Sequence, residues 1–259
     1  GYLPAQLTVC SSSPKFRVWS PMVKPSDPLN VYGDARCDLA GGHGIDIASQ
    51  RLDPLDLQAL EHLRHVLEQQ PATPPLVLDL GCGAGGMLEQ LVSTGAEGIG
   101  VDRADVQAAF EQRAARVGGG MRFMQADFAR LPDDFCRLYA RRVSLVVCQR
   151  ALHYLTYEEA NRALHAICGL LRPEGRLFIG VSGMTSELSE GYPARQNPIE
   201  RRWSLLAPVM RDKHAICQPV CLYDAPELSE LLNTSGFCVE TLFTSPFGNL
   251  KAVASPKQD

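Results

Sequence analysis

The chain of 259 residues is 45% hydrophobic and 21% charged, which is enough apolar material to bury a substantial core. A formal net charge of −4 argues against a protein that grips nucleic acid chiefly by neutralising its phosphates. Nine cysteines, an odd count, fit reduced thiols better than a disulfide framework.

The sequence also contains no pattern typical of a membrane protein or of a metal site. It has no apolar stretch of about 18 residues and no basic region followed by an apolar block at its start. We therefore expect a soluble cytoplasmic protein with no membrane partner. Cys217 and Cys221 are closely spaced, but no second ligand pair follows them, so no metal site is predicted.

The first segment, residues 1–52, is rich in proline, serine and glycine and predicts an irregular N-terminal arm. Its cluster 41–44 is either a flexible loop or a cover over a ligand, with His43 facing the pocket as a substrate contact. Asp53 and Pro54 then predict the cap and first turn of a helix. The apolar stripe of that helix should pack against a sheet edge.

Segment 76–86 joins an apolar run to an acid and then to alternating glycines. The run predicts a buried parallel strand, and the glycines allow positive φ and close approach of the backbone to a ligand. The same segment would also satisfy the dinucleotide fingerprint. Asp79 disfavours that alternative, because a carboxylate there would repel a pyrophosphate and attract an ammonium or a sulfonium group.

The pattern Asp79-x-Gly81-x-Gly83-x-Gly85 resembles the first motif of the class I S-adenosylmethionine-dependent methyltransferases, which have a Rossmann-like fold. The resemblance is to enzymes of the small-molecule type. It implies S-adenosyl-L-methionine as the cofactor and S-adenosyl-L-homocysteine as the product. The implied cofactor loop consists of Asp79, Gly81, Cys82, Gly83 and Gly85, with Cys82 as a small packing residue.

A second strand, 98–102, ends in Asp102, which lies 23 positions after Asp79. This is close to the spacing expected of a carboxylate that binds ribose hydroxyls. In the resembled family, the next residue often lies against the adenine face. Here that residue is Arg103, whose guanidinium group can also stack on a ring.

A third strand, 120–125, leads into Ala126, Asp127 and Phe128. The resemblance implies that Ala126 contributes to the cofactor site. It also implies that the Asp127 carboxylate binds the adenine amino group and that the Phe128 backbone N–H binds a ring nitrogen.

Four polar residues follow the fourth strand, 143–148, at the edge where open α/β sheets bind ligands, and each is a candidate site residue. His153 is the candidate general base, because its ordinary pKa lies near neutrality, and Tyr154 is the alternative. Gln149 is expected to contact the methionine part of the cofactor. Arg150 is expected to bind substrate or to pair with an acid.

Further along the chain, residues 172–175 predict a turn into a fifth strand at 176–181. Capping patterns predict one helix from Thr156 to Leu170 and another that begins after Asp224. Segments 237–244 and 250–254 look like a terminal antiparallel hairpin. The intervening residues 183–222 are either a lid, in which Trp203 contacts the substrate, or an insertion that merely docks on the domain.

The predicted fold is α/β: a Rossmann-like three-layer sandwich with a mostly parallel seven-stranded sheet and a C-terminal antiparallel hairpin. The arm 1–52 would precede a methyltransferase domain over residues 53–256, with the lid-like insertion at 183–222.

The function expected from this resemblance is in-line methyl transfer to a small-molecule acceptor. The strand-four tail lacks the Asn/Asp-Pro-Pro-aromatic motif and the Pro-Cys nucleophile of nucleic-acid enzymes. The alternatives are a catalytically silent S-adenosylmethionine-binding scaffold or regulatory subunit, and a nicotinamide-dependent oxidoreductase that would leave Asp79 and Asp127 unexplained. The sequence specifies neither the acceptor nor the oligomeric state.

Overall fold

The computed structural model describes residues 36–47 and 51–258, so most of the predicted arm 1–52 lies outside the described residues. Seven strands form one sheet: β1 Leu76–Leu80, β2 Glu97–Asp102, β3 Met121–Gln125, β4 Val143–Gln149, β5 Leu171–Val181, β6 Phe237–Thr244 and β7 Leu250–Pro256. Seven α-helices accompany them in the described ranges: α1 Pro54–Glu68, α2 Gly86–Val92, α3 Gln107–Arg116, α4 Asp133–Tyr139, α5 Tyr157–Leu170, α6 Pro208–His214 and α7 Ala225–Thr234.

The strand order across the sheet is β3-β2-β1-β4-β5-β7-β6. The first five strands pair in parallel, whereas β7 runs antiparallel to both β5 and β6. The predicted mostly parallel seven-stranded sheet with a C-terminal antiparallel hairpin is therefore confirmed. The order reverses at β1 and β4, and α/β sheets bind ligands at such a switch point.

The sheet is buried between two helical layers because alternate residues of its strands point to opposite faces. In β4, Leu145 and Val147 pack with α1, α2 and α3. Val146 and Cys148 pack on the other face with α5 and α7. This explains why β4 is a continuous apolar run and confirms the predicted three-layer sandwich.

Three helices begin at capping boxes, in which the cap side chain and the third helical residue each bond the other's backbone N–H. These boxes pair Asp53 with Asp56, Thr156 with Glu159 and Asp224 with Glu227. The helix starts predicted at Asp53, Thr156 and Asp224 are confirmed.

The predicted start of the fifth strand was wrong. Strand β5 begins at Leu171, because Leu171 pairs with Val143 and Arg176 pairs with Leu145. Residues 172–175 thus lie opposite Ser144 as a bulge within the strand. Pro173 and Gly175 are typical turn residues, but here they lie in the bulge, where the register of the strand pair shifts.

Residues 183–222, the insertion, have an apolar cluster of their own, which includes Leu188, Tyr192, Leu206 and Met210. None of the helices in the described ranges combines enough length with enough apolar character to cross a membrane.

Candidate active site

The glycine loop that follows β1 turns through three left-handed backbone conformations. Gly81, Gly83 and Gly85 have φ values of 73°, 50° and 83°. A Cβ on Gly81 would lie 2.4 Å from the Cβ of Ala151, and one on Gly85 would lie 2.8 Å from the ring of Phe110. Both the conformation and the space therefore require glycine at positions 81 and 85.

Two of the predicted carboxylates lie beside this loop and are held by backbone N–H groups. Asp102 Oδ2 accepts a hydrogen bond from Gly83 N–H at 2.8 Å, and its Oδ1 accepts one from Ala104 N–H at 2.9 Å. Asp127 Oδ1 accepts from Ala129 N–H at 2.9 Å. Each carboxylate oxygen has a second lone pair, so these bonds leave acceptor capacity for a ligand.

A small cavity of about 80 Å³ contains both of these acids. Its walls also include predicted cofactor residues from three strand ends, namely Gly81, Gly83, Arg103 and Phe128. Ala126 does not line it, and its N–H donates to the carbonyl of Asp102 at 2.9 Å. The ends of β1, β2 and β3 thus converge on one space, as parallel strands require.

A larger cavity of about 380 Å³ adjoins the small one and shares Gly81, Gly83, His43, Arg150 and Tyr154 with it. Of the remaining predicted site residues, Asp79, Cys82, Gln149 and His153 line this larger cavity. The insertion forms another part of the wall of this cavity, which includes Glu187 and His214. The His214 Nε2 atom lies 3.1 Å from Glu187 Oε2.

Asp79 is the most unusual polar group of the larger cavity. It is only 4% exposed, and no residue in the described part of the chain donates a hydrogen bond to its carboxylate. Burial, together with the nearby charges of Asp56 and Asp102, raises the pKa of Asp79 to about 7. A buried acid without a donor is rare in proteins and is typical of a site that a ligand completes.

Cys82 is buried beside Asp79, with its Sγ packed against Gly100. Burial and the charges of Asp79 and Asp102 raise the pKa of this thiol well above its ordinary value. The side chain is therefore a neutral packing group.

Gln149 lines the larger cavity, and its side-chain amide is held by charged neighbours. Its Nε2 donates to Asp56 at 2.7 Å and to Asp53 at 2.9 Å, while Lys251 Nζ donates to its Oε1. Lys251 also donates to Asp53 at 2.7 Å. Gly180 makes this network possible, since a Cβ there would lie 2.2 Å from the Gln149 oxygen.

Asp56 lines the larger cavity and Lys251 bonds Asp53 and Gln149, and the sequence analysis predicted neither residue. Lys251 interrupts an otherwise apolar strand and is only 4% exposed, so its position in the pattern 250–254 was an available signal. Asp56 gave no comparable signal, because an acid in the first turn of a helix is ordinary.

His153 is 2% exposed, and its Nδ1 accepts a hydrogen bond from Ser182 N–H at 3.3 Å. Burial, followed by the charge of Arg150, lowers the pKa of His153 to about 3. The imidazole is therefore neutral near pH 7, with its proton assigned to Nε2. This state donates a hydrogen bond readily but accepts a proton poorly.

Tyr154 packs against two histidine rings at the boundary of the two cavities. Its ring centroid lies 4.5 Å from that of His153 and 4.9 Å from that of His43. Burial raises the pKa of Tyr154 above its ordinary value, so the phenol is protonated near pH 7.

Residues 36–47, here called the strap, contribute Leu39 and His43 to the walls of both cavities. Gly44 N–H donates to Ala215 O and Cys217 N–H donates to Gly42 O, each at 2.9 Å, which fastens the strap to the insertion. On the opposite side, His43 Nε2 lies 2.9 Å from a guanidinium nitrogen of Arg103.

Arg150 and Trp203 contribute to the site in different ways. Arg150 lines both cavities, has a left-handed φ of 56° and lies 3.4 Å from Asp53 Oδ2. A non-glycine residue held in that conformation is often functional. Trp203 lines neither cavity and donates instead from Nε1 to Tyr154 O at 3.1 Å. A contact between Trp203 and a substrate in the cavities would require the insertion to rearrange.

Comparison with known proteins gives one family match. A family model described as a methyltransferase domain matches residues 77–175. An uncharacterized methyltransferase from Oceanobacillus iheyensis is 26% identical over 144 residues, which cover 55% of this chain and 62% of that protein. The ubiquinone biosynthesis O-methyltransferase of Bordetella avium is 25% identical over 128 residues, or 49% of this chain and 48% of that protein. The chain thus spans about half to three fifths of the length of these relatives, and less than two thirds of either one.

Solved structures share the fold. The 1,6-didemethyltoxoflavin-N1-methyltransferase of Burkholderia thailandensis, with bound 1,6-didemethyltoxoflavin and S-adenosylhomocysteine, matches with a TM-score of 0.57 and 22% identity. The match covers 79% of each chain. An S-adenosylmethionine-dependent methyltransferase from Methanosarcina mazei matches with a TM-score of 0.58 and 18% identity, over 75% of this chain and 98% of that one.

The matched residues 77–175 contain the glycine loop, the two acids of the small cavity, Asp102 and Asp127, and the segment 149–154 at the end of β4, here called the β4 tail. The sheet that carries them has the strand order described above. Residues 77–175 thus match a methyltransferase domain, and the chain shares the fold of the solved S-adenosylmethionine-dependent methyltransferase.

Proposed function

We propose that this protein binds S-adenosyl-L-methionine and directs its methyl group onto a small-molecule acceptor. The observation that carries the proposal is Asp79, a buried carboxylate that receives no hydrogen bond from the described residues and lines a cavity beside a tight glycine loop. A phosphate would be repelled there, whereas a cationic ligand would satisfy the acid. The side chains present therefore fit a sulfonium cofactor with an amino-acid end.

The residues proposed to hold the cofactor divide between the two cavities. The amino-acid end would lie near Asp79 and the loop of Gly81, Cys82, Gly83 and Gly85. In the small cavity, Asp102 would accept from the ribose hydroxyls and Asp127 from the adenine amino group. The Phe128 backbone N–H and the Arg103 guanidinium would complete the adenine site, with Ala126 supporting Asp102 through its backbone.

Bound S-adenosylmethionine supplies an electrophilic methyl group attached to a positively charged sulfur. The protein's part is to align the acceptor with that group and to exclude water. The strap and the insertion would serve the second purpose, since both line the larger cavity. We propose that Arg150 and His43 contact the acceptor, with Trp203 approaching only after a rearrangement.

His153 and Tyr154 are the residues proposed to act on the acceptor. Because His153 is neutral and accepts at Nδ1, we infer that it orients the acceptor by donating from Nε2. Tyr154 would donate from its protonated phenol. This arrangement suits transfer that depends on proximity more than on a strong base.

A small molecule is the proposed acceptor for two reasons. The named relatives above include enzymes of ubiquinone and toxoflavin chemistry. The net charge of −4 also gives little attraction for nucleic acid. The cytoplasm is proposed as the location on the sequence analysis alone.

Titration calorimetry with S-adenosylmethionine, S-adenosylhomocysteine and NAD tests which of these molecules the protein binds. Binding of the first two and not of NAD is expected. We also expect Asp102→Ala to weaken S-adenosylhomocysteine binding by about tenfold or more, since it removes a hydrogen-bonding carboxylate. Binding of NAD alone would reject the proposal.

Turnover is tested separately, with methyl-labelled cofactor and fractionated metabolite extracts. Transfer of label to a low-molecular-weight product is expected. Cofactor binding without transfer in any fraction would favour the alternative of a catalytically silent scaffold.

A further inference from the structure

Asp56 is a second buried carboxylate on the wall of the larger cavity. It lies in the first turn of α1, outside the residues that match the methyltransferase family model, and is only 2% exposed. Its Oδ1 accepts from Gln149 Nε2 at 2.7 Å, and its Oδ2 accepts from Asp53 N–H at 2.9 Å. Each oxygen therefore retains a lone pair for a further donor, and the residue lines the larger cavity.

Helix capping accounts for only part of this arrangement. The third residue of a capping box needs one oxygen for the cap backbone, and such residues usually lie at solvent-exposed helix starts. Asp56 instead lies inside the protein, close enough to Asp79 for its charge to disfavour ionisation of that acid. Burial of two neighbouring acids destabilises the protein unless a cation compensates them.

Among the described residues, the acids of this cluster outnumber the cations that act on them. Asp53, Asp56 and Asp79 supply three negative charges when ionised, against two positive charges from Arg150 and Lys251. Lys251 is engaged by Asp53 and Gln149, and Arg150 approaches Asp53. The uncompensated negative charge therefore lies on the cavity side, at Asp56 and Asp79.

We propose that Asp56 and Asp79 together bind the ammonium group at the amino-acid end of the cofactor. This inference rests on the proposed function. An ammonium group has three N–H donors and one positive charge, which matches two carboxylates with open acceptor positions. The helix α1 is thereby part of the cofactor site, although it precedes the glycine loop in the chain.

The test compares S-adenosylhomocysteine with a deaminated analogue in which hydrogen replaces the amino group. Neither ligand carries a charged sulfur, so their difference reports the ammonium group alone. We expect Asp56→Asn to weaken S-adenosylhomocysteine binding by about tenfold or more and to change binding of the analogue by less than about threefold. Glu61→Gln, an exposed charge removal on the same helix, should change neither.

Equal losses for both ligands, or an unchanged preference for S-adenosylhomocysteine, would overturn the inference. Should Asp56→Asn fail to fold, a crystal structure of the wild-type complex decides the matter. A ligand nitrogen within about 3.2 Å of an Asp56 oxygen supports the inference, and contacts to other groups only would reject it. If the wild-type protein binds neither ligand, the proposed function fails and this inference with it.

Discussion

Gly81 and Gly118 have nearly the same left-handed φ, 73° and 70°, but very different surroundings. A Cβ on Gly81 would meet Ala151 at 2.4 Å, whereas one on Gly118 would have nothing within 4 Å. The pair therefore separates the cost of a left-handed backbone from the cost of a steric clash.

We expect Gly118→Ala to lower the free energy of unfolding by about 1 kcal/mol, through backbone strain alone. Gly81→Ala should lower it by about 2 kcal/mol more, because it adds overpacking against Ala151. Urea denaturation measures both values. Equal effects of the two substitutions would show that the loop can move away from Ala151.

The acidity of Asp79 predicts how cofactor binding depends on pH. Burial and the charges of Asp56 and Asp102 disfavour ionisation of Asp79, and Arg150 favours it, which leaves a pKa of about 7. An ammonium ligand pairs with the ionised form, so binding should weaken as pH falls through that value.

For a single titration at this pKa, we expect the affinity for S-adenosylhomocysteine to fall about tenfold between pH 8 and pH 6. Calorimetry at several pH values measures this change. Asp79→Asn should bind more weakly at pH 8 and show a flatter profile. A wild-type affinity that does not change over this interval would contradict the pairing.

At the scale of elements, the start of α1 is held against the sheet by polar contacts from β4 and β7. Lys251 bonds Asp53 at 2.7 Å across 198 positions of sequence, and Gln149 bonds Asp53 and Asp56. Removing the lysine would leave the half-buried Asp53 carboxylate with only the more distant Arg150 as a charged partner and would remove a donor to Gln149, which is usually more costly than the pair is worth.

We expect Lys251→Met to lower the free energy of unfolding by about 3 kcal/mol, as measured by urea denaturation. The matched control is Lys257→Met, which removes an exposed lysine beyond the end of the same strand and should cost less than about 0.5 kcal/mol. A similar small cost for both variants would mean that α1 is fixed by its apolar contacts alone.

At the scale of the whole molecule, the proposed cofactor site joins parts that are distant in sequence. The larger cavity is lined by the strap, α1, the glycine loop, the β4 tail and the insertion. A ligand that contacts several of these parts in the folded state only must stabilise the fold by mass action.

S-adenosylhomocysteine at about 100 times its Kd should therefore raise the unfolding free energy by about 2.7 kcal/mol. For a chain of this size, that corresponds to an increase in Tm of about 5 to 10 °C, measurable by calorimetry. NAD at the same concentration serves as the control and should leave Tm unchanged. A comparable increase with NAD would indicate a dinucleotide site.

Local patterns predicted most of the sheet and helices because their causes are local. The apolar run of β4 and the capping boxes at Asp53, Thr156 and Asp224 depend on neighbouring residues. The start of β5 was misplaced because residues 172–175 resemble a turn, and only pairing with Val143 makes Leu171 part of the strand.

The sequence by itself determined that Asp79, Asp102 and Asp127 lie at or just beyond the carboxyl ends of strands, which in a parallel sheet meet at one edge. Only the tertiary structure decided that Asp56, Lys251 and the strap join them. Their proximity depends on strand order and helix docking, which bring together residues as far apart as Asp53 and Lys251. No local spacing encodes such contacts, because they arise only when the sheet assembles.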